Sequence, residues 1–286
     1  MKNPREIASI ILFHVYSGKS VESQLLLNKN YIKLDERDKA FVHLLVLTAL
    51  RRNGQIENVI SNFVKRKFKK NQILSYIIKI AVTQILYLDI PNYSIVNTTV
   101  EISKKYGSEK FVNAILRNIV KHKKKLITQT PITLNIPQWL KNNILRYFDN
   151  NTLKLIAEKI VTEPCTDIYV KSKLIKDNDW EKTLGGNFVF ENVLRLKKND
   201  KIQNLPYFSD GHWWVQGLSA TFPVKIFNEI YSKKIKKQIS LLDVGSAPGA
   251  KTFQLLDSGY NVSSLEISKR RIVTLKKNSE RTKFKT

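Results

Sequence analysis

Ser240-Leu241-Leu242-Asp243-Val244-Gly245-Ser246-Ala247-Pro248-Gly249-Ala250-Lys251-Thr252 reads as a short apolar run, a turn built on glycine and proline, and the start of a helical pattern reaching Leu256. That is a strand–loop–helix unit. Glycine lets backbone approach a ligand closely, and the helix that follows offers unpaired N–H groups. Further on, Val262-Ser263-Ser264-Leu265-Glu266 reads as a second strand ending in a carboxylate. From that position an acid can accept hydrogen bonds from the two ribose hydroxyls of a nucleoside cofactor.

Other readings of the loop stay open on the residues alone. A phosphate-binding P-loop places glycine directly before its lysine, but Ala250 precedes Lys251. A dinucleotide fold uses G-x-G-x-x-G, which Gly245 and Gly249 do not provide. A strand–turn–helix without a ligand is the third.

Upstream, residues 4–125 read as helices. Ile7, Ile10, Ile11 and Val15 recur at the spacing of one helical face, as do Ile56, Val59, Ile60 and Phe63. Leu44, Leu45, Leu47 and Thr48 belong to a helix apolar most of the way round, predicted to lie at the domain centre. Pro91 separates helical runs over 73–88 and 95–105, and Gly107 separates the second from 111–122. Pro131 and Pro137 then break the pattern, and 139–148 reads as a short helix. Ile168-Tyr169-Val170-Lys171 and Asn187-Phe188-Val189-Phe190 read as strands, with Gly185-Gly186 as the turn between them. The predicted fold class is thus multi-domain: an all-α bundle (1–128), a small α+β linker subdomain (129–210), and an α/β segment with the cofactor loop (211–286).

The formal charge is +25, spread over both halves: 23 Lys+Arg against 9 Asp+Glu in residues 1–130, and 26 against 15 in the rest. Such a field gathers polyanions, RNA foremost, although biased composition alone also produces a solvated basic surface. Lys65-Arg66-Lys67, Lys69-Lys70 and the basic run 121–125 serve equally as helix-end cations or as phosphate contacts. One cysteine, Cys165, excludes a disulfide framework, and the four histidines lack metal-ligand spacing. No apolar run is long enough to span a bilayer and no leader opens the chain, so a cytoplasmic location is the default expectation.

Five stretches carry a resemblance. Asp38-Lys39-Ala40-Phe41-Val42, Thr48-Ala49-Leu50-Arg51-Arg52 and Phe111-Val112-Asn113-Ala114-Ile115-Leu116-Arg117 are similar to signatures of the NusB-type RNA-binding domain. The pattern Asp243…Pro248-Gly249-Ala250-Lys251-Thr252 with Glu266 downstream resembles the cofactor motif of the RsmB/NOP-type (Sun family) RNA methyltransferases. Gly211 to Ala220 resembles the segment those enzymes place just before it. The resemblance implies methylation of carbon 5 of cytosine in small-subunit ribosomal RNA with S-adenosyl-L-methionine. It also implies that Gly245, Ser246, Ala247, Pro248, Gly249, Ala250 and Lys251 line the cofactor pocket and that Glu266 binds the ribose. Gly217 stands where an acid is common in the family, and Ala250 where a glycine is.

That chemistry needs a cysteine thiolate to attack carbon 6. In the family two cysteines serve, in Asp-x-Pro-Cys and Thr-Cys-Ser motifs beyond the cofactor strands. The sequence reaches Thr286 without either, and Cys165 lacks their context. No catalytic residue is therefore assigned, and no turnover is expected from this chain alone. The stretch 269–281 reads as a second helix after the late strands, and two parallel strands with open edges are marginal, so 236–286 is expected to be the least stable part.

Overall fold

The computed structural model describes residues 3–64, 72–198, 201–231 and 239–285. The basic clusters at 65–67 and 69–70 lie outside these residues. The chain divides into two compact units, Met1–Glu163 and Pro164–Thr286.

The first unit is helical. Its bundle comprises α1 (Pro4–Tyr16), α2 (Val21–Leu27), α3 (Lys29–Ile32), α4 (Glu36–Arg51), α5 (Asn53–Phe63), α6 (Ile73–Tyr87), α7 (Asn92–Lys104), α8 (Glu109–Lys121) and α9 (Lys123–Gln129). Capping is local: Pro4 opens α1 while the Asn3 side chain accepts from the Arg5 amide, and Asp35 accepts from the Asp38 amide at the start of α4. The central helix is α6 and not, as predicted, the one holding Leu44. Packed against α1, α4, α7 and α8, α6 buries residues on every side. By contrast α4 turns Val42, Leu45, Val46 and Ala49 inward and leaves Leu44 exposed, because one of its sides faces solvent.

After the bundle the chain turns back onto it. Gln55 donates through Nε2 to the Thr130 carbonyl at 2.9 Å and exchanges bonds with Asn135, whose Oδ1 accepts from the Gln55 amide. A Cβ on Gly54 would sit 1.8 Å from the Leu134 carbonyl oxygen, so only glycine admits the segment there. Beyond it, α10 (Gln138–Ile144) and α11 (Asn150–Val161) close a small apolar cluster around Ile136, Leu153 and Ala157.

The second unit opens with β1 (Asp167–Val170), α12 (Trp180–Leu184), β2 (Gly186–Phe190), β3 (Val193–Leu196) and β4 (Trp213–Val215), forming an antiparallel sheet in the order β2-β3-β1-β4. Both predicted strands form, but they are not neighbours and Gly185-Gly186 is no hairpin turn. Gly185, at φ 65°, caps α12, and Gly186 begins β2. Period-two alternation gives the sheet two buried faces. Ile168, Val170, Leu194, Leu196 and Trp213 pack with Trp180 on one side; Tyr169, Val193 and Trp214 pack with Phe253 and Leu275 on the other.

That second face meets the rest of the unit: α13 (Leu218–Tyr231), β5 (Ser240–Val244), α14 (Ala250–Asp257), β6 (Asn261–Leu265) and α15 (Lys269–Thr282). β5 and β6 pair in parallel, Leu242 opposite Ser263 and Val244 opposite Leu265. Leu242, Val244 and Leu265 all stand exposed, on one face of the pair.

Candidate functional site

The loop between β5 and α14 is held by its own backbone. The Gly245 and Ser246 amides donate to the Leu265 carbonyl at 2.8 and 3.2 Å, tying the loop to the end of β6. Gly245 has φ 77°, a conformation that favours glycine, with open space where a Cβ would be. Gly249, at φ 112°, lies against Phe253 and Leu275, where a Cβ would approach the Phe253 ring to 2.3 Å. The Ala247–Pro248 peptide is cis. Ser246, Ala247 and Gly249 are buried, Ala250 is half-buried, and Gly245, Pro248 and Lys251 are exposed. Gly245 to Gly249 thus form one continuous turn, and Ala250 and Lys251 open α14. That helix has no side-chain cap, so its first amides remain available to an anionic or polar ligand. Asp243 at the end of β5 accepts from Thr252 Oγ1 at 2.5 Å, joining strand to helix across the turn.

Glu266 directly follows β6, and its side chain is 3% exposed. Oε1 accepts from the Ser268 amide at 2.9 Å; Oε2 is buried with no hydrogen bond and faces Arg271 Nη1 at 3.5 Å. The Ser268 amide bond, with Arg271's charge and the Ala247 and Ile267 amides, holds this carboxyl below the usual glutamate range against the opposing effect of burial. An ionised, acceptor-only group with one oxygen that accepts no hydrogen bond fits a ligand that presents hydroxyl donors.

The helix expected over 269–281 forms as α15, but sequence reading missed that it braces the loop. Arg271 donates to the Ala247 carbonyl, and Asn278 Nδ2 to the Pro248 carbonyl at 3.0 Å, so one face of α15 fixes both residues. Arg271 does fall one turn into a helix that begins just after Glu266, which was the available signal. At its other end α15 is seated on the antiparallel sheet. Arg281 Nη1 donates to the Phe208 and Trp213 carbonyls at 2.7 and 3.0 Å, and Lys171 Nζ to the Thr282 carbonyl at 2.5 Å. Burial pushes the Lys171 ammonium down from its ordinary value, opposed in part by Asp257. A Cβ on Gly211 (φ 68°) would lie 1.9 Å from the Arg281 carbonyl oxygen, so glycine is required at that seat.

In the first unit, α8 buries Val112, Ile115, Leu116 and Ile119 and presents Lys110, Arg117, Asn118 and Lys121 to solvent. Arg117 Nε donates to Asn113 Oδ1 at 3.0 Å, one turn back. With Lys124 and Lys125 of α9 also exposed, this is a cationic strip with few competing acids. Residues 2–121 match the NusB family. The α8 part of the strip and the three sequence signatures therefore lie within a NusB-type domain, with Lys124 and Lys125 just beyond the matched residues.

Over most of its length the chain is also homologous to small-subunit ribosomal RNA methyltransferases B. It is 26% identical over 218 residues to a probable ribosomal RNA small subunit methyltransferase B of Coxiella burnetii, covering 69% of this chain and 48% of that protein. It is 25% identical to the ribosomal RNA small subunit methyltransferase B of Cronobacter sakazakii, covering 88% and 61%, and to that of Photorhabdus laumondii, covering 98% and 68%. The chain thus spans from about half to two thirds of these relatives' length. The crystal structure of PH0851 shares the fold, with a TM-score of 0.64 at 15% identity, covering 100% of this chain and 68% of that one. Among the described residues no helix is long and apolar enough to cross a membrane.

Proposed function

We propose that this chain is the RNA- and cofactor-binding part of a cytoplasmic enzyme that methylates carbon 5 of cytosine in small-subunit ribosomal RNA. In this reading residues 1–128 bind RNA, 129–210 bridge, and 211–286 hold S-adenosyl-L-methionine. The carrying observation is an uncapped helix start after Gly249 together with the buried Oε2 of Glu266, which accepts no hydrogen bond.

Glu266 accepts hydrogen bonds from the ribose hydroxyls, and its low pKa keeps it an acceptor throughout the neutral range. Gly245 takes the positive φ that turns the chain toward the ligand, while Ser246, Ala247, Pro248, Gly249, Ala250 and Lys251 line the turn, with the Ala250 and Lys251 amides at the uncapped helix start serving as donors. Arg271 and Asn278 position the loop through its carbonyls. The bound cofactor supplies an electrophilic methyl group. The sole cysteine, Cys165, is exposed in the stretch before β1, and no thiolate is assigned to the attack on the base. The chain by itself is expected to retain labelled cofactor in equilibrium dialysis and to transfer no methyl group to small-subunit RNA. Methylated RNA produced by the purified chain would refute the inactive reading.

A second reading, a non-catalytic RNA-binding protein, is favoured by that same lone cysteine. Retention of RNA with no retention of cofactor would select it.

A further inference from the structure

Gln138-Trp139-Leu140-Lys141-Asn142-Asn143-Ile144-Leu145-Arg146-Tyr147-Phe148 covers α10 and the turn after it. Leu140 and Ile144 pack into the cluster around Leu153 and Ala157. Bonds from the Leu145 amide to the Lys141 carbonyl and from the Phe148 amide to the Ile144 carbonyl carry the helical path on to Phe148. Along that path Trp139, Asn143 and Arg146 recur on one face away from the cluster, with Tyr147 beside them.

These rings are unusually bare. Trp139 is 66% exposed, Tyr147 81% and Phe148 57%; among the described residues only Tyr93 is another aromatic more than half exposed. None of the three has a ring partner or a side-chain hydrogen bond among the described residues. The other tryptophans, Trp180, Trp213 and Trp214, are all buried. Clustered exposed apolar side chains mark interaction surfaces.

Charge and chemistry select the partner. Arg146 and Lys154 are exposed, Lys141 is half-buried, and Lys159 follows on α11. Two acids lie in the same stretch: Glu158, and Asp149, which accepts from the Thr152 amide at 2.8 Å as the cap of α11. The balance is cationic in a chain of +25. Flat rings interleaved with arginine, lysine and asparagine match unpaired bases and their phosphates; a duplex keeps its bases stacked on each other. We propose that Trp139, Tyr147 and Phe148 form a stacking platform for single-stranded RNA, with Arg146 and Lys141 contacting the phosphates. The proposal rests on the RNA-binding reading above and gives it a location outside the NusB-matched residues.

The test titrates the full chain with a single-stranded 12-residue oligouridylate and with a duplex RNA of equal length. It follows tryptophan fluorescence, which near solvent reports Trp139, and anisotropy of labelled RNA. Expected are quenching by the single strand, tighter binding of it than of the duplex, and a loss of about tenfold in affinity for Trp139→Leu and for Tyr147→Leu, with the salt slope unchanged. Trp139→Phe should retain affinity, and Arg146→Gln should lower the salt slope by about one. Unchanged single-strand affinity in the Trp139→Leu/Tyr147→Leu double variant overturns the platform and leaves RNA binding standing. Failure of the wild type to bind either RNA overturns both readings. Exposed Leu155 and Ile160 lie nearby on α11; wild-type self-association abolished by the double variant, with RNA affinity intact, would reassign the surface to protein docking and overturn the proposal.

Discussion

The two sheets of the second unit solve the same problem differently. In the antiparallel sheet, neighbouring residues of β1, β3 and β4 enter two separate apolar clusters, so both faces are covered there. In the parallel pair β5–β6, one face meets the helices while Leu242, Val244 and Leu265 on the other are exposed. Parallel sheets are ordinarily covered on both faces, and two strands alone are marginal. The candidate site therefore sits on the less self-sufficient sheet, and α15 compensates by bolting the loop to the antiparallel one. Arg271 and Asn278 hold the loop; Arg281 and Lys171 hold the helix to the sheet.

Amide exchange gives the widest contrast. Amides of β5 and β6 are expected to open at several kcal/mol below those of β1 and β3, within the roughly 5–15 kcal/mol of a typical domain; equal, global-level protection in both sheets would break the comparison. Trp213→Ala empties the centre of one antiparallel face and is expected to cost about 3–5 kcal/mol in denaturant unfolding. Asp167 sharpens the contrast through pH. Burial alone would raise its pKa, but the Arg195 bonds at 2.7 and 3.0 Å and the Leu218 amide outweigh it, and the net shift is downward. A carboxylate with a depressed folded pKa stabilises above its ordinary value of 3.8 and loses that contribution as pH falls through the lower folded value. Asp167→Asn is thus expected to cost about 1–3 kcal/mol at neutral pH, with the gap to wild type closing in melts run progressively below pH 3.8. Leu242→Ser, on the bare parallel face, is expected to change stability by less than about 0.5 kcal/mol.

Local order was legible in the sequence wherever neighbours along the chain decide it. The bundle helices, the two strands around Ile168 and Phe188, and the strand–loop–helix at 240–252 all follow from periodicity and turn chemistry. What stayed hidden was set by distant partners. The centrality of α6 is an exception that local sequence did mark: Lys79 is its one charged residue, whereas α4 carries Glu36, Arg37, Asp38, Lys39 and Arg51. Gly185 carries a turn signature that serves equally for a hairpin or a helix cap. Gln55 meets Thr130 and Asn135 across 75 and 80 residues, and Arg271 reads as surface charge until the Ala247 carbonyl is placed beside it. The loop, the acid after β6 and the helix over 269–281 were readable as local elements; the contacts by which that helix braces the loop were not.

Titration calorimetry of S-adenosyl-L-methionine into the intact, folded chain tests the cofactor turn most directly. Saturable one-to-one binding is expected, weakened about 10–100-fold by Glu266→Ala through loss of charged hydrogen bonds, with circular dichroism of the variant unchanged. No heat of binding up to millimolar ligand, on protein shown to be folded, would contradict the assignment of 245–251 and Glu266 as a cofactor site.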